Sequence, residues 1–225
     1  MNYTFVPEIE KVGEFSPYAN IGSIAEETGM YSASPDFVRE HGGKLTIMML
    51  DQVPSEFYEE CEKLGLYPNI DVRVHRLYPG DFPAVPGWHT DGEFRKDYHS
   101  QPDLSKFTQH SHIVGSISTD ENGVSMTELV EEEFEATIEN PDSDNTLWQQ
   151  VHEQIDVKKP HTLHIPDGQL TQIGAMTLHR ATPARIRGWR LFVRLSMWHK
   201  PYISEEGGTI ARQEYVYRLS ESKGW

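Results

Sequence analysis

The stretch "WRLFVRLSMWHK", residues 189–200, constrains the fold more than any other. Read at the period of a strand, it puts Arg190, Phe192, Arg194, Ser196 and Trp198 on one face and Leu191, Val193, Leu195 and Met197 on the other. Neither face suits water. A strand that is apolar on one side and carries two arginines among aromatics on the other is expected to be covered on both sides, as the middle strand of a layered β structure. Buried guanidinium groups need anionic partners, and no acid occurs between Asp167 and Glu205. A bound dianion is therefore the expected partner.

The rest of the chain supplies strands to surround this one. "NIDVRVHRLY" alternates Ile70, Val72 and Val74 against Asp71, Arg73 and His75, which predicts a half-buried strand ending at Pro79 and Gly80. Further strands are predicted at "HIVGSIST", "GVSMTELV", "HTLHIP", "TQIGAMTLHRATPA" and "RQEYVYRLS". "PSEFYEECEKLG", 54–65, predicts a helix, with Phe57, Cys61 and Leu64 at helical spacing and Gly65 to close it. Residues 131–158 form an acidic excursion with one short helical run, Leu147 to Val151 and Ile155, expected to be a lid. The 225 residues contain no internal repeat and no low-complexity linker, so one domain is expected: 1–66 as a supporting segment and 70–200 as the core of a β-sandwich or barrel.

Composition narrows the chemistry. One cysteine, Cys61, excludes a disulfide framework and suits a reducing cytosol; with neither a leader pattern nor a long apolar run, a cytoplasmic protein with no membrane association is expected. The net charge of −15 makes a nucleic-acid partner unfavourable. That charge is uneven: residues 107–157 hold 12 acids and no Lys or Arg, whereas 158–225 hold 11 bases against 5 acids. Nothing in the chain fixes an oligomeric state.

"PGWHTDGEF", 86–94, sets His89 and Asp91 two apart on an extended segment, where both project to one side. Alone the pair is as compatible with a polar turn as with a metal site. His179, on a distant strand, completes two imidazoles and a carboxylate, the facial triad that holds non-haem Fe(II) with three positions open. Arg190 follows ten residues beyond it, expected across a hairpin turn and a few residues from the metal, where its fork can pair with a carboxylate.

This pattern resembles the Fe(II)/2-oxoglutarate-dependent oxygenase superfamily and its double-stranded β-helix, a jelly-roll, cupin-like architecture, here with N-terminal helices on one sheet. "HRATPARIRGWR" is similar to the ending of the phytanoyl-CoA hydroxylase and taurine dioxygenase type, and "RLS", Arg194 and Ser196, resembles the Arg-x-Ser pair of the plant and penicillin-pathway branch. The resemblance implies iron ligands His89, Asp91 and His179, with Arg190 at the distal carboxylate of 2-oxoglutarate, and Arg194, Ser196, Thr127 and Tyr78 as further co-substrate contacts. It implies a dioxygenase that consumes 2-oxoglutarate and O2, releases succinate and CO2, and hydroxylates its substrate. Hydrogen removal without oxygen insertion is the other outcome open to it.

Other readings compete. "HSH", 110–112, is the rival metal motif but has no nearby Glu, and His75, His161, His164 and His199 read as structural or surface histidines. A cupin-like metal-binding isomerase, or a non-catalytic barrel that binds some other dianion, fits the same composition. For the primary substrate, Trp88, Trp198 and Arg194 are candidate walls and anchors, and the acidic 128–144 segment suits an amine, so a small molecule, an amino acid or a peptide is expected.

Overall fold

The computed structural model describes residues 1–95, 101–107, 109–139, 146–199, 206–211 and 216–218. The N-terminal part runs β1 (Asn2–Phe5), β2 (Ile9–Glu14), α1 (Ile21–Ala25), β3 (Met30–Ala33), α2 (Pro35–His41), α3 (Lys44–Leu50) and α4 (Ser55–Leu64). Local chemistry sets these boundaries. Asn20 and Ser34 each accept a hydrogen bond from the first turn of α1 and α2, Pro35 opens α2, and Gly65 closes α4 at a φ of 66°.

The chain continues through β4 (Tyr67–Leu77), β5 (Asp81–Phe82), β6 (Glu93–Phe94), β7 (Asp103–Phe107), β8 (Gln109–Ser118), β9 (Thr127–Val130) and β10 (Phe134–Thr137). After α5 (Leu147–Lys158) come β11 (Thr162–Ile165), β12 (Gln169–Gly174), β13 (His179–Ala181), β14 (Gly188–Trp198), β15 (Thr209–Ile210) and β16 (Tyr217–Arg218). The protein is mainly β and its sheets are antiparallel. A seven-stranded sheet has the order β15-β3-β4-β14-β8-β12-β2, and a three-stranded sheet the order β11-β9-β13. A bridge between His89 and His179 carries the segment before β6 onto the free edge of β13.

β14 is central, paired with β4 on one side and β8 on the other. Its Leu191, Val193, Leu195 and Met197 join Ile70, Val72, Ile113 and Ile117 in a core closed over by Ile24 of α1, Phe37 and Val38 of α2, Met49 and Leu50 of α3, and Phe57 and Cys61 of α4. Its other face looks toward the small sheet, where Phe192 packs beside Val114, Leu129, Ile165 and Ile173. The burial of this strand on both faces is as its sequence requires.

Three expectations change. β4 is not half-solvated: Asp71 and His75 are as buried as Ile70 and Val72, because the polar face of β4 looks inward beside that of β14. The run 171–184 is two strands in different sheets, so β13 and β14 form no hairpin; β13 pairs with β9. The excursion 131–158 is no loose flap where it is described. β10 pairs with β1, and Leu147, Trp148, Val151 and Ile155 of α5 are buried with Phe5, Trp88, Phe134 and Leu178 on the outer side of the small sheet. Among the described residues no helix is long and apolar enough to cross a membrane.

Candidate metal centre and anion cavity

Between the two sheets lies a cavity of about 210 Å³, large enough to admit a small molecule. At its wall the mutual backbone hydrogen bonds of His89 and His179, 3.1 and 2.9 Å, set the two rings side by side with centroids 4.6 Å apart. Asp91, two residues on from His89, faces the same way. Gly92 then turns the chain at a φ of 84°, where a Cβ would lie 2.5 Å from that of Gln109. One potential ligand atom from each of His89, Asp91 and His179 lies within 4.8 Å of the others.

The surroundings fix the orientation and charge of these groups. His89 Nδ1 donates to the Gly87 carbonyl at 2.7 Å and His179 Nδ1 to the Thr177 carbonyl at 3.0 Å, which leaves Nε2 of neutral His89 as its lone-pair nitrogen, while Nε2 of His179 carries the proton it shares with Asp91 and would have to release it to bind a metal. Burial and the neighbouring His179 push His89 down to about 4, so it is neutral at physiological pH. Burial also acts to lower His179, but the hydrogen bond and charge of Asp91, 3.4 Å from its Nε2, outweigh it and leave it raised. Asp91 is held well below the usual carboxylate range, because the Arg194 guanidinium overcomes the cost of its burial. Two imidazole nitrogens and one carboxylate fit a divalent first-row metal and leave its remaining positions open.

The two arginines of β14 have different environments. Arg194 is tied on both sides, to Asp91 and to Asp71 of β4 at 2.5 Å, and these anions raise its pKa despite burial. The carboxylates missing from the local sequence thus come from elements 103 and 123 residues away. Arg190 is only 3 % exposed, lines the cavity, and its Nε has no hydrogen-bond partner among the described residues. Burial pushes it down to about 10, which still leaves it cationic. Its guanidinium lies 4.8 Å from the centre of the Phe192 ring, which orients the fork.

Thr127 lines the cavity beside His179 and Ala181. Other expected contacts do not. Tyr78 is 39 % exposed and sits outside, beneath Arg76 and Arg187, because the chain turns away at Pro79 and Gly80. Ser196 is buried but bonds His112 Nδ1 at 2.8 Å, two pairs further along the sheet than Arg194, and is not part of the cavity lining. Trp88 is 1 % exposed and belongs to the core around α5, since strand alternation turns it away when His89 faces in. Trp198 lies at the far end of β14 and does not line the cavity either. Neither tryptophan is a wall for a ligand there.

Arg73 and His75 of β4, and Arg180 of β13, are cavity residues that the sequence pattern placed elsewhere or passed over. Arg180 is engaged by Glu128 at 2.7 Å and lies over the Trp88 ring. Within "HSH", His112 is buried and pushed down to about 3, chiefly by burial, while His110 Nε2 lies 3.0 Å from His199 Nε2 away from the cavity, so the motif does not act as a ligand pair. No family model, curated protein or solved structure matches the chain.

Proposed function

We propose that this protein is a non-haem Fe(II)- and 2-oxoglutarate-dependent dioxygenase that hydroxylates a small molecule, an amino acid or a peptide. The observation that carries this reading is the convergence, in one cavity, of the His89, Asp91 and His179 donor set with an arginine, Arg190, that forms no ion pair among the described residues. The chain order supports a double-stranded β-helix. From β8 onward it passes between facing sheets, through β9 and β11, back to β12, across to β13 and back to β14.

In this reading His89, Asp91 and His179 hold the iron, which supplies the site for chelation of the 2-oxo acid and for activation of O2. The remaining work belongs to the chain. Arg190 binds the distal carboxylate of 2-oxoglutarate, and the Thr127 hydroxyl gives it a further polar contact. Arg194, saturated by Asp71 and Asp91, fixes the carboxylate of Asp91 rather than binding the co-substrate. Val114, Ile173, Phe192 and the loop Pro83–Val85 keep water from the reacting groups.

The test is anaerobic addition of Fe(II) and 2-oxoglutarate, which is expected to give the weak visible charge-transfer band of the chelate in wild type and none in His179→Ala. Absence of the band in wild type removes the proposal. If the band forms but no succinate is released in air with any substrate in a screen that detects gain of one oxygen or loss of two hydrogens, the ligand-binding barrel is the better reading.

A further inference from the structure

The reading above leaves two cationic side chains of the cavity unused, Arg180, which is paired with Glu128, and Arg73. Arg73 of β4 lines the cavity, its charge is felt by Arg190, and among the described residues its side chain has neither an ion pair nor a hydrogen bond. The register explains where it sits. On paired strands β4 and β14, Asp71 faces Arg194, Arg73 faces Phe192, and His75 faces Arg190. Arg73 is therefore the diagonal neighbour of both arginines of β14, at a spacing of about 7 to 8 Å between backbones that long side chains span. Arg194 is already neutralised by two carboxylates, whereas Arg190 is not. Asp167, the nearby acid that attracts Arg190, forms no ion pair with it and accepts a hydrogen bond from Ser116. Two guanidinium groups left facing one small cavity repel each other until an anion lies between them.

We propose that Arg73 and Arg190 form a two-guanidinium clamp that closes on one carboxylate from two strands, making Arg73 a second determinant of co-substrate binding and of selectivity for a diacid. The clamp rests on the reading of this cavity as the 2-oxoglutarate site. Charge supports a shared carboxylate over a separate acidic substrate. A divalent metal with Arg73, Arg190 and Arg194, set against Asp71 and Asp91, leaves three positive charges. The acidic co-substrate supplies two negative charges and Asp167 a third, so no cation is left over for an acidic substrate.

The experiment titrates 2-oxoglutarate, and 2-oxopentanoate as the monoacid of equal chain length, into the anaerobic Fe(II) protein by the chelate band. Glutarate, which lacks the 2-oxo group, is added to metal-free protein with a thermal-shift readout. Arg73→Gln is expected to weaken 2-oxoglutarate about 10- to 100-fold, to leave 2-oxopentanoate and Fe(II) binding within about 2-fold, and to abolish the glutarate shift. Arg73→Lys, which keeps the charge without the fork, is expected to fall between the two and stands in if Arg73→Gln does not fold. An Arg73→Gln protein that binds 2-oxoglutarate like wild type, while Arg190→Gln does not, overturns the clamp and leaves the dioxygenase reading intact. Equal loss of both 2-oxo acids also overturns it, since Arg73 would then serve the metal end. A wild type with no chelate band fails the broader reading instead.

Discussion

At the scale of single residues, the most consequential arrangement is the buried run Asp71, Arg194, Asp91. Asp71 is fixed by the backbone N–H of Ser32 at 3.0 Å, and Ser32 is itself buried at a positive φ of 50°, a conformation that costs a non-glycine residue energy. The acid end of the run is thereby held in place, and through Arg194 it fixes the Asp91 carboxylate. Removing the shared cation leaves two buried carboxylates facing each other. Arg194→Gln is expected to destabilise the protein by about 3 to 5 kcal/mol in urea unfolding, with less than the summed loss when Asp71→Asn is added. An unchanged urea midpoint for Arg194→Gln shows that the pairing contributes nothing.

At the scale of elements, α5 is the piece whose role differs most from its charge. Its segment is acidic, yet Leu147, Trp148, Val151 and Ile155 recur at three- and four-residue spacing and are all buried, so the helix is a wall of the second core. Trp148→Ala is expected to cost about 3 to 5 kcal/mol through the cavity it leaves. Amide exchange gives the check on mobility: Val151 to Ile155 are expected to be protected like the centre of β8 with or without ligands, and fast exchange there in the absence of ligands restores the lid.

At the scale of the whole molecule, buried histidines set the response to acid. His89 is lowered to about 4 and His112 to about 3, both chiefly by burial, from an ordinary value of 6.5. The unfolded chain therefore binds more protons than the fold between those limits, and stability is full above pH 6.5 and lost as pH falls. Each group contributes up to about 1.4 kcal/mol per pH unit in that window. His179, which is raised, opposes this near neutrality, and Asp91, which is lowered, adds to the loss at lower pH. Urea midpoints of metal-free protein at pH 7, 6, 5 and 4 are expected to fall steadily, and His112→Gln to fall less steeply. A flat profile contradicts the burial of these rings.

By itself the sequence determined the features that depend on neighbours along the chain. Helical spacing and Gly65 placed α4, and the alternation of β14 required cover on both faces because neither half of it suits water. The two-residue step from His89 to Asp91 set both on one side of an extended segment. Tertiary structure decided what alternation leaves open, namely which element lies against each face. The polar side of β4 reads as solvent-facing, yet β14 pairs with it in a register that turns Arg73 and His75 into the cavity and buries Asp71 against Arg194. The same period that brings His89 inward sends Trp88 into the core around α5. Which arginine of β14 is already paired follows only from Asp71 and Asp91 reaching Arg194 across more than a hundred residues, since ion pairing depends on separation in space and leaves no periodic mark on the chain.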